Sequence, residues 1–150
     1  MPRDNPSAES GLDMSGLDNQ IGFVLRLAQV AVFKDLIAAL KDCDLRPTDF
    51  SILMLIDANP GVSQQAIGDA LHIQRPNLVS LIDALQQRNL LRRDTAPQDR
   101  RSYALNLTAA GNKLLTKAKA AHTRHTRKVS VAVDGQYDVV LAALKRIAAI

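Results

Sequence analysis

Apolar residues recur at helical spacing along most of this chain, and the exceptions mark where its elements change. From Leu17 to Lys41 they keep to no single stripe. Ile21, Val24, Leu25, Ala28, Val32 and Leu36 form one row, and Phe23, Leu27, Val30, Phe33, Ile37 and Leu40 a wider one. A helix apolar around so much of its circumference has to be covered on more than one side, so a long helix shared with a partner chain is expected here. After a turn at Cys43 to Pro47, Thr48 to Ala58 reads as a short apolar helix closed by Asn59-Pro60-Gly61. Ser63 is placed to cap a helix with Ala66, Ile67, Ala70 and Leu71 on one face. The period breaks over His72 to Arg75, and Pro76 falls in the first turn of a second helix, where its missing N–H has no intrahelical partner to lose. Leu78, Leu81, Ile82 and Leu85 give that helix its buried face, and Asn89 suits the left-handed backbone that ends it. Gln74, Arg75, Asn77 and Ser80 are left on its outer side or at its exposed N-terminal end.

Past Asn89 the period shifts toward two. Leu90-Leu91-Arg92-Arg93 is strand-like, Asp94 to Arg100 is a polar turn containing Pro97, and Ser102 to Leu107 alternates polar with apolar. That predicts a hairpin whose tip carries Gln98-Asp99-Arg100-Arg101. Thr108 is placed to cap a long helix running to about Val131, which Asp134-Gly135 breaks. A last helix follows between Gln136 and Ala149, with Val139, Val140, Leu144 and Ile147 at helical spacing. Residues 1–16, rich in Pro, Ser, Gly, Asp and Asn and without period, are expected to form a flexible N-terminal arm. Two helices joined by a tight turn, with an Arg-bearing outer face and a hairpin directly behind them, describe a winged helix-turn-helix. The expected fold class is mainly α, an α+β winged-helix lobe between long N- and C-terminal helices.

Charge sharpens this picture. The formal net charge of +4 hides a segregation: residues 1–69 hold ten acids and five bases, residues 70–150 five acids and fourteen bases. Between Arg100 and Val133 there are eight Lys/Arg and no acid. Such asymmetry directs one face at a polyanion, although the Lys113 to Lys128 run also suits an ordinary solvated helix face. Base-reading chemistry is present where the motif needs it. Arginine can bond guanine through two hydrogen bonds, and asparagine or glutamine can do the same to adenine. The N-terminal end of a recognition helix is what approaches base edges, which singles out Arg75 and Asn77, with Gln74 and Ser80 beside them. Thr48, Ser63 and Gln64, at helix starts, can bond phosphates, a role compatible with capping. Arg100 and Arg101 at the hairpin tip can reach a minor groove. Asp99 is read as a brace that pairs with Arg101 and shapes the tip.

The run NLLRRDTAPQDRRSYALNLTAAG resembles the wing of the MarR family of winged-helix regulators: a Leu-x-Arg strand, an Asp-x-Arg tip and a Leu-Thr-x-x-Gly exit. The similarity extends from about Leu17 to the C-terminus, and Asn89 stands where many relatives have glycine. The resemblance implies a single domain over 17–150, with 17–45 and 108–150 as dimerisation helices around a winged helix-turn-helix at 46–107. It implies a homodimer acting as a sequence-specific double-stranded DNA-binding transcription regulator, a repressor released by a small organic effector such as an aromatic acid or thioester. In this chain the residues that can line the effector pocket are Phe23, Arg26, Phe50 and Met54; a guanidinium at Arg26 can hold a carboxylate, or pair with an acid within a core aromatic set.

Other readings are weaker. A catalyst would need a nucleophile–base pairing, a Gly-rich phosphate loop or a metal helix, and none of these patterns is present. A non-specific architectural DNA-binding protein would use the charge but leave Gln74 to Ser80 without a purpose. A redox sensor would use Cys43, the lone cysteine, but Asp42 and Asp44 beside it disfavour a thiolate. His122 and His125 have the spacing of a metal pair, yet Arg124, Arg127 and Lys128 would repel a cation and no third ligand is near. No cofactor or metal is therefore expected. With no signal peptide and no apolar run of membrane-spanning length, the expected location is the cytoplasm.

Overall fold

The computed structural model describes residues 11–96 and 99–150, and at 99–101 it describes the backbone only. Most of the expected arm, residues 1–10, and the tip residues Pro97 and Gln98 lie outside the described residues. The chain divides into two compact units, one ending at Asp35 and the other Leu36–Ile150.

Turns hydrogen-bonded from Met14 to Gln20 precede helix α1, Ile21–Leu40, whose residues up to Asp35 belong to the first unit and from Leu36 on to the second. The helix starts four residues later than the apolar pattern suggests, because Leu17 and Asp18 donate back to the Met14 carbonyl and close a turn of their own. Ile21, Val24, Leu27, Val30 and Phe33 stay exposed along it. Polar residues are too few on this helix to form a hydrated face, so the single chain leaves its apolar surplus in water.

The second unit carries the core. A single 3₁₀ turn, Lys41–Cys43, leads through Asp44 in left-handed backbone to α2, Pro47–Ala58. Asp49 anchors the start of α2: the Arg46 backbone N–H and guanidinium both donate to its buried carboxylate, at 3.0 to 3.2 Å. Strand β1, Val62–Ser63, is followed by α3, Gln64–Leu71, and α4, Arg75–Gln87. The wing strands are β2, Leu91–Ala96, and β3, Asp99–Leu107; then come α5, Ala109–Ala132, and α6, Tyr137–Ile147. The sheet is antiparallel in the order β1-β3-β2. Its central strand aligns Leu105 opposite both Val62 and Arg93, and Leu105 is fully buried with Ile52, Leu53, Ile82 and Leu91.

Two departures from the expected hairpin have physical causes. The polar stretch from Asp94 is largely strand, because Asp94 is held in the ladder by Arg92 at 3.0 Å and by Asn106 at 2.8 Å. The pairing then slips between Thr95 and Ala96. Strand β1 has two residues, too short to show a period, and is recruited by β3.

The helix-turn-helix is closed tightly. His72 takes left-handed backbone after α3, and the Ile73 N–H returns to the Gly68 carbonyl. Gly68 packs so near Leu78 that a Cβ added to it would lie 3.1 Å from that side chain. The buried face of α3 is therefore Ile67 and Gly68 with half-buried Leu71, while Ala66 and Ala70, expected on that face, are exposed. Asn89 ends α4 at φ 56°. There the Thr108 hydroxyl donates to the Asn89 carbonyl at 2.5 Å and accepts from the Gly111 N–H at 2.9 Å, while its own N–H donates to the Leu90 carbonyl. A Cβ on Gly111 would meet the Leu90 carbonyl oxygen at 1.8 Å, so the start of α5 and the exit of α4 touch backbone to backbone. Helix α6 buries none of its residues; Val139, Val140, Leu141, Leu144 and Ile147 are exposed. Among the described residues no helix is long and apolar enough to cross a membrane.

Candidate nucleic-acid interface

Helix α4 is held from behind by Leu78, Ile82 and Leu85, all buried, and this rotation turns its first residues outward. Gln74 is the N-cap residue and makes no capping bond with its side chain. Arg75 and Pro76 occupy the first turn, and Arg75 and Asn77 are exposed. Neither makes a side-chain hydrogen bond or ion pair among the described residues, so both are free to meet a ligand. Ser80 is exposed one turn on, its hydroxyl donating to the Pro76 carbonyl at 3.3 Å. Ser63 caps α3 by accepting from the Ala66 N–H at 3.1 Å. Thr48 lies in the first turn of α2, half-buried, with Arg46 rather than a hydroxyl residue as the cap.

Four of these positions border one open trough. Ser63, Gln64, Gln74 and Arg75 line a concavity of about 1330 Å³ between α3, α4 and the wing, together with Tyr103 and Arg93. Tyr103 projects from β3 with 53% of its surface exposed, an aromatic ring at the trough's edge that the alternating strand pattern did not single out. Arg93 was also missed. Its guanidinium donates to Asp83 and Gln86 of α4, each at 2.5 Å, and to Gln64 of α3 at 3.4 Å. Only its place in the strand, pointing opposite to Arg92 and Asp94, could have flagged it. Arg100 and Arg101 lie on β3 with Asp99, at the wing end; their side chains, and with them the proposed Asp99 brace, lie outside the described residues.

The remaining sequence candidates are scattered. Phe23 is half-buried and Arg26 exposed, both on α1 in the first unit. Phe50 and Met54 are one turn apart on α2 in the second. Phe50 is buried and stacks on His122, with ring centroids 5.1 Å apart, whereas Met54 is partly exposed. Burial holds the His122 imidazole below its ordinary pKa, and the neighbouring His125 adds to the effect. Cys43 is buried in the core, without the exposure a sensor thiol needs. Part of the basic α5 run is spent within the chain: Lys119 pairs with Asp57 and Lys117 donates to the Asp42 carbonyl.

Comparison with known proteins agrees with this geometry. A family model described as the MarR family matches residues 45–103, the span from the end of the 3₁₀ turn to the wing. The putative transcriptional regulatory protein for the hcr operon of Thauera aromatica is 31% identical over 130 residues, covering 85% of this chain and 78% of that protein. The transcriptional repressor CouR bound to a 23-mer DNA duplex superposes with a TM-score of 0.88 at 40% identity, over 93% of this chain and 99% of the other. CouR bound to p-coumaroyl-CoA gives a TM-score of 0.81 at 38% identity, over 91% and 97%.

Proposed function

The chain belongs to the MarR family of transcription regulators, and on that premise we propose that it is a homodimeric repressor that reads an inverted-repeat operator and leaves it when an aromatic acyl thioester or related aromatic acid binds. The observation that carries the DNA-reading half is the presentation of Arg75 and Asn77, exposed and, among the described residues, unpartnered at the start of α4. In this reading Gln74, Arg75, Asn77 and Ser80 face base edges in the major groove. Thr48, Ser63 and Gln64 bond phosphates, and Arg100 and Arg101 extend the wing into the flanking minor groove, with Asp99 bracing Arg101.

Dimerisation is supported by the apolar residues that one chain leaves in water on α1 and α6, among them Ile21 at 72% and Val139 at 65% exposure. A second copy would cover both rows, with 17–45 and 108–150 forming the dimer region of one domain and 46–107 its DNA-reading lobe. The effector class is supported by the CouR structures, one holding DNA and another p-coumaroyl-CoA. Phe23, Arg26, Phe50 and Met54 are the residues proposed to receive it, Arg26 supplying the charge for an anionic group.

The test is fluorescence anisotropy of the purified chain on labelled DNA from upstream of its own gene, against random duplex at about 150 mM salt. Preference for the upstream DNA, abolished by p-coumaroyl-CoA but not by coenzyme A alone, is expected. Equal binding to both duplexes overturns the repressor reading in favour of an architectural one. Specific binding that neither thioesters nor aromatic acids relieve overturns the effector class.

A further inference from the structure

The guanidinium of Arg93 ties the wing strand β2 to both helices of the helix-turn-helix. Nη1 donates to Gln86 Oε1 at 2.5 Å, and Nη2 donates to Asp83 Oδ1 at 2.5 Å and to Gln64 Oε1 at 3.4 Å. Its side chain is only 19% exposed, so it is turned away from solvent and toward the helices. The other face of the same hairpin is tied to itself. Arg92 holds Asp94 and the Leu107 carbonyl, and Asn106 holds Asp94. One face of the wing base is thus an internal brace and the other an anchor. The ladder loses register just beyond, between Thr95 and Ala96, so Arg93 holds the last regular stretch before the tip.

We propose that Arg93 is a positioning residue for DNA engagement, fixing the wing at a set distance and angle from α4 by locking β2 onto Asp83, Gln86 and Gln64. Only arginine can do this from one position. Its planar fork offers several N–H donors in fixed directions, whereas a lysine ammonium is a single point of charge. The lock matters because a recognition helix and a wing contact the duplex in different grooves. Their separation must match the duplex before either contact forms, and a freely hinged wing would lose that match on every encounter.

The inference rests on the DNA-reading function proposed above, and it has a rival with the opposite sign. If Arg93 merely contributed positive charge to a phosphate, then Asp83 would be a competitor for it. Neutralising or reversing Asp83 would then tighten DNA binding, because a negative charge beside the duplex is removed. If Arg93 positions the wing, the same changes weaken binding even though they make the protein more basic. The experiment measures affinity for the selected operator across a series of salt concentrations for wild type, Asp83→Asn, Asp83→Lys and Arg93→Ala. Thermal unfolding is followed on the same samples. Both Asp83 variants are expected to bind about tenfold more weakly, the size of a typical coupling between directly contacting groups. Their salt dependence should be shallower, as the phosphates met by the wing drop out. A purely structural loss would lower the unfolding temperature without altering the salt slope of the folded fraction. Wild-type-like or tighter binding by Asp83→Lys overturns the positioning role while leaving the DNA-reading function intact. Failure of the wild type to prefer any DNA sequence overturns that function, and this role with it.

Discussion

Phe50 of α2 and His122 of α5 stack face to face, with centroids 5.1 Å apart and planes inclined by 26°. The contact joins α2, ahead of the helix-turn-helix, to the long helix α5 that follows the wing, and the His125 ring lies 5.9 Å from that of His122. It is the burial of the His122 imidazole, and not the stack itself, that favours its neutral form.

That sets a direction for pH. Burial, with a smaller contribution from His125, lowers the pKa of His122 in the folded chain below the ordinary 6.5. Above that value folded and unfolded chains both hold it neutral and it contributes no pH dependence. As pH falls below it, the unfolded chain takes up a proton that the folded chain resists, so stability declines until the folded pKa is passed. The thermal midpoint should therefore drop between about pH 7.5 and pH 5.5, and drop less in His122→Phe, which keeps the stacked ring. Calorimetry at the two values decides it; equal drops would show that another group titrates.

Recognition-helix and wing substitutions should separate. Asn77→Ala and Arg75→Ala should each relax preference at one base pair per half-site, since a good bidentate contact discriminates by roughly 1–3 kcal/mol. Arg100→Ala should weaken all sequences alike and lower the salt slope by about one. Selection of bound sequences from a random pool, run in parallel for the three variants, reads both effects. The wild type should return an inverted repeat of about 16–20 bp, with half-sites one helical turn apart.

Thr108 does two jobs with one hydroxyl, accepting from the Gly111 N–H and donating to the Asn89 carbonyl. Thr108→Val keeps the shape and removes both bonds, at an expected cost of about 2 kcal/mol. Thr108→Ser retains the hydroxyl and should stay near wild type. Urea denaturation of the pair measures the difference.

The exposed row on α6 should be where two copies meet. Val139→Lys and Leu144→Lys place charge in that row, at positions that one chain alone leaves in water. They should leave the isolated chain's packing unchanged and shift sedimentation from dimer toward monomer. Operator affinity should fall with them, because two half-sites are then bound by separate molecules. A variant that sediments as the wild-type dimer would place the interface elsewhere.

Much of this fold was legible because its signals are local. Ser63 and Thr108 were expected as caps and accept the backbone N–H three residues on, and Asn89 was expected in left-handed backbone and is found there. Each depends on a residue and its near neighbours. What escaped reading depends on distant parts of the chain. Strand β1 exists only because β3 pairs with it, and the Arg93 anchor reaches residues 7, 10 and 29 positions away. A sequence of arginines does not say which one faces inward, and only the strand's alternation, once paired, sorts Arg92 from Arg93. The α3 face was misjudged for a similar reason. Ala66 and Ala70 fit an apolar stripe, but Gly68 is the residue thin enough to let α4 approach.

The backbone contact between Gly111 and Leu90 leaves no slack where α5 begins. With no room for even a methyl group at that point, the two segments mesh like gear teeth. Close-packed contacts of this kind pass strain on instead of absorbing it. Helix α5 is 24 residues long, and as a stiff element it carries a tilt of its far end back to its root. That root cannot shift without pressing on the exit of α4, so the two helices are tied together at this point.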